Sequence, residues 1–356
     1  MYKFYKGKKI LVTGHTGFKG TWLSLMLETL GACVYGFAKN GEEQKFSSLA
    51  NPKMAGEVLG DIRDQRSIIE TLDEFQPEMI IHLASHSTLN EGDELTRYIF
   101  ETNMMGVINL FEAVRGCKSV QAVLIVTSDK CYENKESAVG YSENDALGAQ
   151  DPYSTSKAVQ ELITECYRKS FFQQGVNGVR IATARASNVI GGGDYNLTRL
   201  VPNVLECLVK GRPVEIRKPD AVRPWQNVLD VLYGYLLLMR ALCETDALDN
   251  NICSAFNFGP NEDGFVAVRK VAEILAQQFS NAKIIVNEAK LGVKETTILK
   301  LKSDKAKKIL GWNPQFGFED TMKMAANFAI FENQGRDVKT ICLDMINDFW
   351  RKKNVY

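Results

Sequence analysis

The sequence predicts an α/β fold organised as a doubly wound parallel sheet with a smaller C-terminal domain. Three observations carry that prediction. Short apolar runs alternate with longer helical patterns through the first half of the 356 residues. The first run leads into a turn whose glycines stand at i, i+3 and i+6. After Arg185 the alternation gives way to a triple glycine, 191–193, and a segment with four prolines between 202 and 224. The length is about twice that of a usual single domain, enough to bury a large core. With 45% hydrophobic and 24% charged residues the composition is that of an ordinary globular protein, which excludes a disordered scaffold. Basic and acidic residues number 43 each, so no broad field favours nucleic acid or an anionic membrane.

Taken in order, strands are predicted at 9–13, 33–37, 57–60, 79–82, 122–127 and 179–185, each a short apolar run. Helices are predicted at 20–30, where Trp22, Leu23, Leu25, Met26 and Leu30 recur at helical spacing, and at 96–115 and 154–172. A short helix at 201–210, a longer one at 230–242 and a return strand at 255–258 follow, then a final helical section. The apolar stretch 231–239 is half the length a bilayer needs and reads as a buried helix. Eight cysteines show no close CxxC spacing, so no metal site is expected. The polar, basic opening of the chain has no secretory h-region, and the expected location is a reducing cytoplasm.

The glycine turn, ILVTGHTGFKG at 10–20, follows a strand and opens a helix. That context suits a dinucleotide: Gly14 for the tight turn, Gly17 for approach of a pyrophosphate, Gly20 for close packing of helix on strand. The fold class is accordingly a Rossmann-type doubly wound parallel sheet with a smaller C-terminal substrate-binding domain. The acidic residue that ordinarily ends the second strand is missing; Ala38, Lys39 and Asn40 stand there, so charge alone does not choose between NAD and NADP. Asp61, after the third strand, suits an adenine contact and a helix cap equally.

Tyr153 and Lys157 share one helix face at i and i+4. An ammonium beside a phenol is expected to lower its pKa from about 10 toward working pH, making Tyr153 a general base. Upstream, Thr127, Ser128, Asp129 and Lys130 end the fifth strand, where open parallel sheets bind ligands.

With TGHTGFKG at 13–20, GDIRD at 60–64, TSDKCY at 127–132, DPYS at 151–154, NVIGGGD at 188–194, VP at 201–202, RPWQ at 223–226 and NFGP at 257–260, the chain resembles the extended short-chain dehydrogenase/reductases, and within them the CDP-glucose 4,6-dehydratases. The likeness implies a redox-neutral dehydration on tightly held NAD. Tyr153 would take the sugar 4-hydroxyl proton as hydride leaves carbon 4, with Ser128 bonding that hydroxyl. Asp129 would protonate the departing 6-hydroxyl. Lys130 takes the place of the usual glutamate base, for which burial and Lys157 would have to depress its pKa. Cofactor contacts implied are Gly14, Thr16, Gly17, Phe18, Lys19, Asp61, Ile62, Ala84, Tyr153 and Lys157. Those to the nucleotide sugar are His86, Asn188, Arg199, Arg223, Trp225 and Glu295. Arg223, before Pro224, suits a domain interface as well.

Two departures from the family stand out. The loop 84–93 reads ASHSTLNEGD in place of the usual Ala-Ala-Gln-Pro-Leu-Val-Arg pattern, leaving His86 as a new sugar contact, a proton relay or a residue with no duty. Near the C-terminus Lys294 replaces a histidine while Glu295 is kept. The expected domains are 1–186 with a return at about 225–260 for NAD, and 187–224 with 261–356 for the nucleotide sugar. A homodimer through helices 96–115 and 154–172 is also implied. The competing readings are an epimerase or 4-dehydrogenase that stops before elimination, a dehydratase of another nucleotide sugar, and a non-enzymatic dinucleotide sensor.

Overall fold

The computed structural model describes all residues except 42–43, 88–92, 138, 174–177, 246–248, 281, 287–298 and 356. A short helix α1 (Tyr2–Tyr5) precedes β1 (Lys9–Thr13), and strands and helices then alternate. They are α2 (Phe18–Thr29), β2 (Cys33–Ala38), α3 (Lys45–Ala50), β3 (Gly56–Leu59), α4 (Gln65–Phe75), β4 (Met79–His82), α5 (Asp93–Phe100), α6 (Gly106–Gly116), β5 (Ala122–Val126), α7 (Pro152–Tyr167) and β6 (Arg180–Ala186). The second part holds β7 (Asn188–Ile190), α8 (Leu200–Val209), β8 (Val214–Ile216), β9 (Val222–Asn227), α9 (Val228–Glu244) and β10 (Ala255–Phe258). It ends with β11 (Phe265–Ala267), α10 (Val268–Ala276), β12 (Ile284–Val286), α11 (Asp304–Leu310), α12 (Phe318–Asn333) and α13 (Val338–Lys352).

Seven strands form one sheet in the order β10-β6-β5-β4-β1-β2-β3, and every ladder in it is parallel. β4 and β5 are buried along their whole length, which is why they read as unbroken apolar runs: helices cover both faces. One face packs Trp22, Leu25, Tyr235, Phe258 and Trp350 from α2, α9, β10 and α13. The other packs Ile68, Leu72, Leu110, Phe111 and Val114 from α4 and α6. A third core, with Val204, Leu208, Val271, Leu275 and Met322, lies among α8, α10, α12 and two small sheets, β11-β9-β7 and β12-β8. The order of the large sheet reverses between β1 and β4, so the crevice that takes ligands lies beyond their C-terminal ends.

The first six predicted strands and the return strand appear within one residue of their expected bounds. The expected helix 96–115 is not continuous. A π-helical turn, Glu101–Met105, separates α5 from α6 by taking in one extra residue. The helix expected at 154–172 starts at Pro152 under an Asp151 cap and finishes in a second π turn, Arg168–Phe172. The sequence reading missed α4, although Ile68, Thr71, Leu72 and Phe75 line one buried face behind the Asp64 cap. Among the described residues no helix is long and apolar enough to cross a membrane.

Candidate active site

The glycine turn joins β1 to α2 and to its neighbours. Gly14 has φ +70°, donates its N–H to the Phe37 carbonyl at 2.7 Å and lies so close to the next strand that a Cβ would sit 2.7 Å from the Ala84 nitrogen. A Cβ on Gly20 would lie 2.1 Å from the Gly14 carbonyl oxygen. The protein's own packing therefore demands both glycines. Gly17 is different, because its φ is −73° and a Cβ would meet nothing nearer than that same oxygen at 3.4 Å. The chain's own packing does not require a glycine there. Gly17 is also the N-cap of α2 with no side chain capping the helix, so the first-turn N–H groups and the dipole face the same opening. Thr16 is buried and its carbonyl accepts from Thr21, while Phe18 packs beside Phe46 with ring centroids 6.5 Å apart. His15 is buried over Gly36, its Nε2 2.6 Å from a Glu57 oxygen.

At the far end of the crevice Asp61 is already engaged. Arg63 reaches both its carboxyl oxygens, the closest at 2.7 Å, and holds the group below the usual carboxylate range. Asp64, not Asp61, caps α4, so the capping alternative for Asp61 is not what the structure shows. Lys39 stands 3.7 Å from Asp61 and over the Tyr98 ring. The Ile62 side chain enters the core and its carbonyl accepts from Asn109.

The segment after β5 is built for rigidity. Ser128 caps a single 3₁₀ turn, Asp129–Cys131, by accepting from the Lys130 N–H, and donates to Asp129 Oδ1 at 3.0 Å. Behind it, Glu161 from α7 and Arg185 from β6 form a buried ion pair at 2.9 Å. Thr127 and Thr183 donate to the same carboxylate, and Arg185 donates to the Tyr132 hydroxyl at 2.7 Å. Asp129 is buried, and that burial pushes its carboxyl up to about 6 against the pull of Lys130, Ser128 and Arg223. A carboxyl in that range can hold a proton near neutrality and release it on demand.

Tyr153 and Lys157 meet here as their spacing implied, but the electrostatics run the other way from the expectation. Burial pushes the phenol up to about 12 despite a hydrogen bond to Ser128, and pushes the Lys157 ammonium down to about 7. The lysine nitrogen lies 5.9 Å from the phenol ring centre and is held by the Val126 carbonyl at 3.2 Å and Gln160 Oε1 at 2.9 Å. Desolvation dominates at both groups: at the phenol it outweighs the pull of Ser128 and Arg199, and Lys157 is itself short of water. Lys130 approaches the same ring from 5.8 Å. Lys19, half-buried on the α2 side, is pushed down to about 8 by desolvation and by Arg199, with Asp129 opposing. Lys19, Lys130, Lys157, Arg199 and Arg223 thus converge electrostatically on Tyr153 and Asp129. That excess of cations suits a polyanionic ligand.

Sequence reasoning missed Asn103. The π turn presents its amide to the loop after β4, where it accepts from the His86 N–H at 2.8 Å and donates to the His86 carbonyl at 3.0 Å and to Ser156 at 2.8 Å. Gln160 closes the circuit by donating to the Asn103 carbonyl at 2.7 Å. The polar Glu-Thr-Asn break inside an apolar helical pattern was the available signal. His82 was also missed: it ends β4 buried, bonded through Nδ1 to Thr13 at 2.8 Å, and burial drops its pKa to about 3.

The remaining predicted residues divide. Arg199 bonds Asp194 and, across the crevice, Ser87, both at 2.8 Å. Arg223 donates to the Val222 carbonyl at 3.0 Å and faces Asp129. Asn188 pairs in register with Trp225, whose indole is buried in the third core and donates to the Val266 carbonyl at 2.9 Å. Ala84 donates its N–H to Thr13 at 3.3 Å. The His86 ring packs edge-on against Tyr98, 5.3 Å between centres. Glu295 lies outside the described residues.

Comparison with known proteins gives a consistent neighbourhood. Residues 11–325 match the family model described as GDP-mannose 4,6 dehydratase. The CDP-glucose 4,6-dehydratase of Salmonella typhimurium is 34% identical over 351 residues, covering 97% of each chain. Among solved structures, an epimerase from Methanothermobacter thermautotrophicus superposes with a TM-score of 0.80 at 23% identity, covering 94% of this chain and 95% of that one. A dTDP-glucose 4,6-dehydratase from Bacillus anthracis, solved in complex with NAD, gives 0.73 at 19% identity, covering 94% and 100%.

Proposed function

We propose, since this chain belongs to the GDP-mannose 4,6 dehydratase family, that it is a nucleotide-sugar 4,6-dehydratase that converts CDP-glucose to the 4-keto-6-deoxy sugar with NAD as its resident cofactor. The carrying observation is the convergence of a buried, protonatable Asp129 with Tyr153 and five basic side chains at the end of β5. The bare Gly17, the uncapped start of α2 and the packing-enforced Gly14 and Gly20 fit the pyrophosphate of a dinucleotide. Lys157, Asp61, the Ile62 N–H and Ala84 would hold the rest of it. NAD, when bound, supplies the electron sink that takes two electrons from carbon 4 and later returns them to carbon 6.

The chain's residues handle protons. Tyr153 removes the 4-hydroxyl proton while Ser128 bonds the same oxygen. Burial holds the phenol near 12, so Tyr153 would need the positive charge of bound oxidised NAD nearby to become phenolate at working pH. Lys130, acting as the neutral amine, takes the proton from carbon 5, made acidic by the adjacent ketone, and gives it back to carbon 5 when the two electrons return to carbon 6. Asp129 gives its proton to the carbon-6 oxygen as water leaves, which balances the elimination. Arg199 and Arg223 would pair with the substrate pyrophosphate as forked donors, and Asn188, Trp225 and His86 would border the nucleotide sugar, a role that the sequence alone suggests for Glu295. The small C-terminal sheets and their helices form the nucleotide-sugar-binding part. The exposed Met105 and Leu162 on the two long helical segments support a homodimer, and the enzyme works in the cytoplasm.

Incubating the protein with NAD and CDP-glucose tests the reading. The expected product is a 4-keto sugar lighter by one water, formed without net NADH. A product of unchanged mass would support an epimerase instead, and no turnover of CDP-, GDP-, UDP- or dTDP-hexoses would end the proposal.

A further inference from the structure

We infer that Tyr235 is a positioning residue for Asp129: in the working site its hydroxyl donates a hydrogen bond to Asp129 Oδ2 and fixes where the carboxyl presents its proton. The inference rests on the reading of Asp129 as the acid. Tyr235, on α9, is wholly buried, and its hydroxyl has no hydrogen-bond partner among the described residues. Asp129 has one oxygen bonded to Ser128, while the other, Oδ2, is buried and equally without a partner. A donor and an acceptor thus lie unsatisfied in the same dry region, within electrostatic reach of each other.

An unsatisfied buried hydroxyl costs about 1–3 kcal/mol. Phenylalanine would fill the same space against Phe258, whose ring lies edge-on at 5.6 Å, without that cost. The tyrosine oxygen is therefore explained by a partner gained later. The phenol cannot travel to meet one, because α9 is pinned along its length. The Asp230 carboxylate accepts from the Gln315 and Phe316 N–H groups at 2.6 and 3.0 Å, Trp312 donates to the Asp230 carbonyl, and Tyr5 donates to the Leu236 carbonyl. A Cβ on Gly234 would lie 2.5 Å from the Phe258 ring, so the helix already sits as close to β10 as it can. Asp129, held through one oxygen in a short 3₁₀ turn, is the side that can rotate. The groups facing Asp129 are Lys130 beside it, Lys19 from α2, Tyr153 from α7, Arg223 from β9, Tyr235 from α9, and Cys131 in its own turn. Those facing Tyr235 are Tyr153, Asp129 and Lys19, whose nitrogen lies 6.0 Å from the ring centre.

A donor to a carboxylate favours its ionised form, so Tyr235→Phe raises the Asp129 midpoint. The test uses protein carrying NAD and CDP, with ¹³C-labelled aspartate and the Asp129 signal assigned by its loss in Asp129→Asn. The expected result is an upward move of that midpoint by about half a unit or more in Tyr235→Phe. Melting temperature in the absence of ligand should be unchanged or higher, whereas a merely structural tyrosine would lower it. With CDP-glucose, kcat should fall with KM little changed, and the high-pH limb of kcat should move up with the midpoint. An unmoved midpoint, or a lowered melting temperature, overturns the inference. Absence of wild-type turnover on any nucleotide hexose would sink the functional reading instead, and the carboxyl titration would still report whether Tyr235 touches Asp129.

Discussion

Replacing Glu161 by alanine removes the carboxylate on which the back of the site converges. Glu161 and Arg185 side chains are 4% and 5% exposed, so water cannot take over for either. The variant leaves the guanidinium with the Tyr132 hydroxyl and the Glu143 carbonyl, and strips Thr127 and Thr183 of an acceptor. Orphaning one partner of a buried pair costs about 3–5 kcal/mol. The two hydroxyls add roughly 0.5–1.5 kcal/mol each where no carbonyl replaces the carboxylate, placing the loss near the upper end of that range. Urea unfolding at pH 7, followed by circular dichroism and tryptophan fluorescence, should show the midpoint falling at constant m. The partner experiment, Glu161→Leu with Arg185→Met, should recover most of the loss, because apolar side chains of similar volume remove the desolvation cost of both charges. Burial opposes ionisation of Glu161, but Arg185 and the hydroxyl donors hold its pKa below 4.5 in the folded chain. The pair's contribution is therefore complete above about 4.5 and fades as the pH falls through the lower folded value, so the gap between wild type and Glu161→Ala narrows in acid. A loss under about 1 kcal/mol at pH 7, or a double variant no better than the single one, would refute the reasoning.

Four other outcomes are expected. Gly20→Ala should destabilise the ligand-free fold by about 1–3 kcal/mol or more, because its Cβ would meet the Gly14 carbonyl oxygen at 2.1 Å. Gly17→Ala should leave the melting temperature nearly unchanged and weaken dinucleotide binding, which calorimetry reads directly. Tyr153→Phe should abolish turnover of nucleotide sugar with the fold intact by circular dichroism. Asp129→Asn should still reduce NAD in a single turnover, seen by its absorbance, while water loss stalls; full dehydratase rate would take the acid's role from Asp129.

How much of this was legible follows from the range of the forces. The large sheet could be read because a strand covered on both faces must be apolar throughout, and a turn facing a bound anion must be bare. Tyr153 and Lys157 could be paired because helical spacing is local. The direction of the Tyr153 shift could not be read, since it depends on how much water the fold removes from both groups. The roles of Asn103 and Tyr235 were hidden for a related reason, although the polar break marked Asn103 itself: each acts through atoms distant in sequence, His86 and Ser156 for one and Asp129 for the other. Arg185 and Glu161 sat in plain view as charges within an apolar strand and a packed helix, and only the fold shows that they answer each other.

The π turn at Glu101–Met105 carries a consequence for how this chain can change over time. Each residue of an α-helix advances the winding by about 100°. Deleting one residue from the turn would give smooth α geometry at little local cost. It would also swing everything upstream of the cut around the axis and aim the Asn103 amide away from the loop it staples. Length at this point is therefore a conserved quantity in a mechanical sense: substitutions here are negotiable, whereas a lost codon would yield a tidier helix and an unfastened loop.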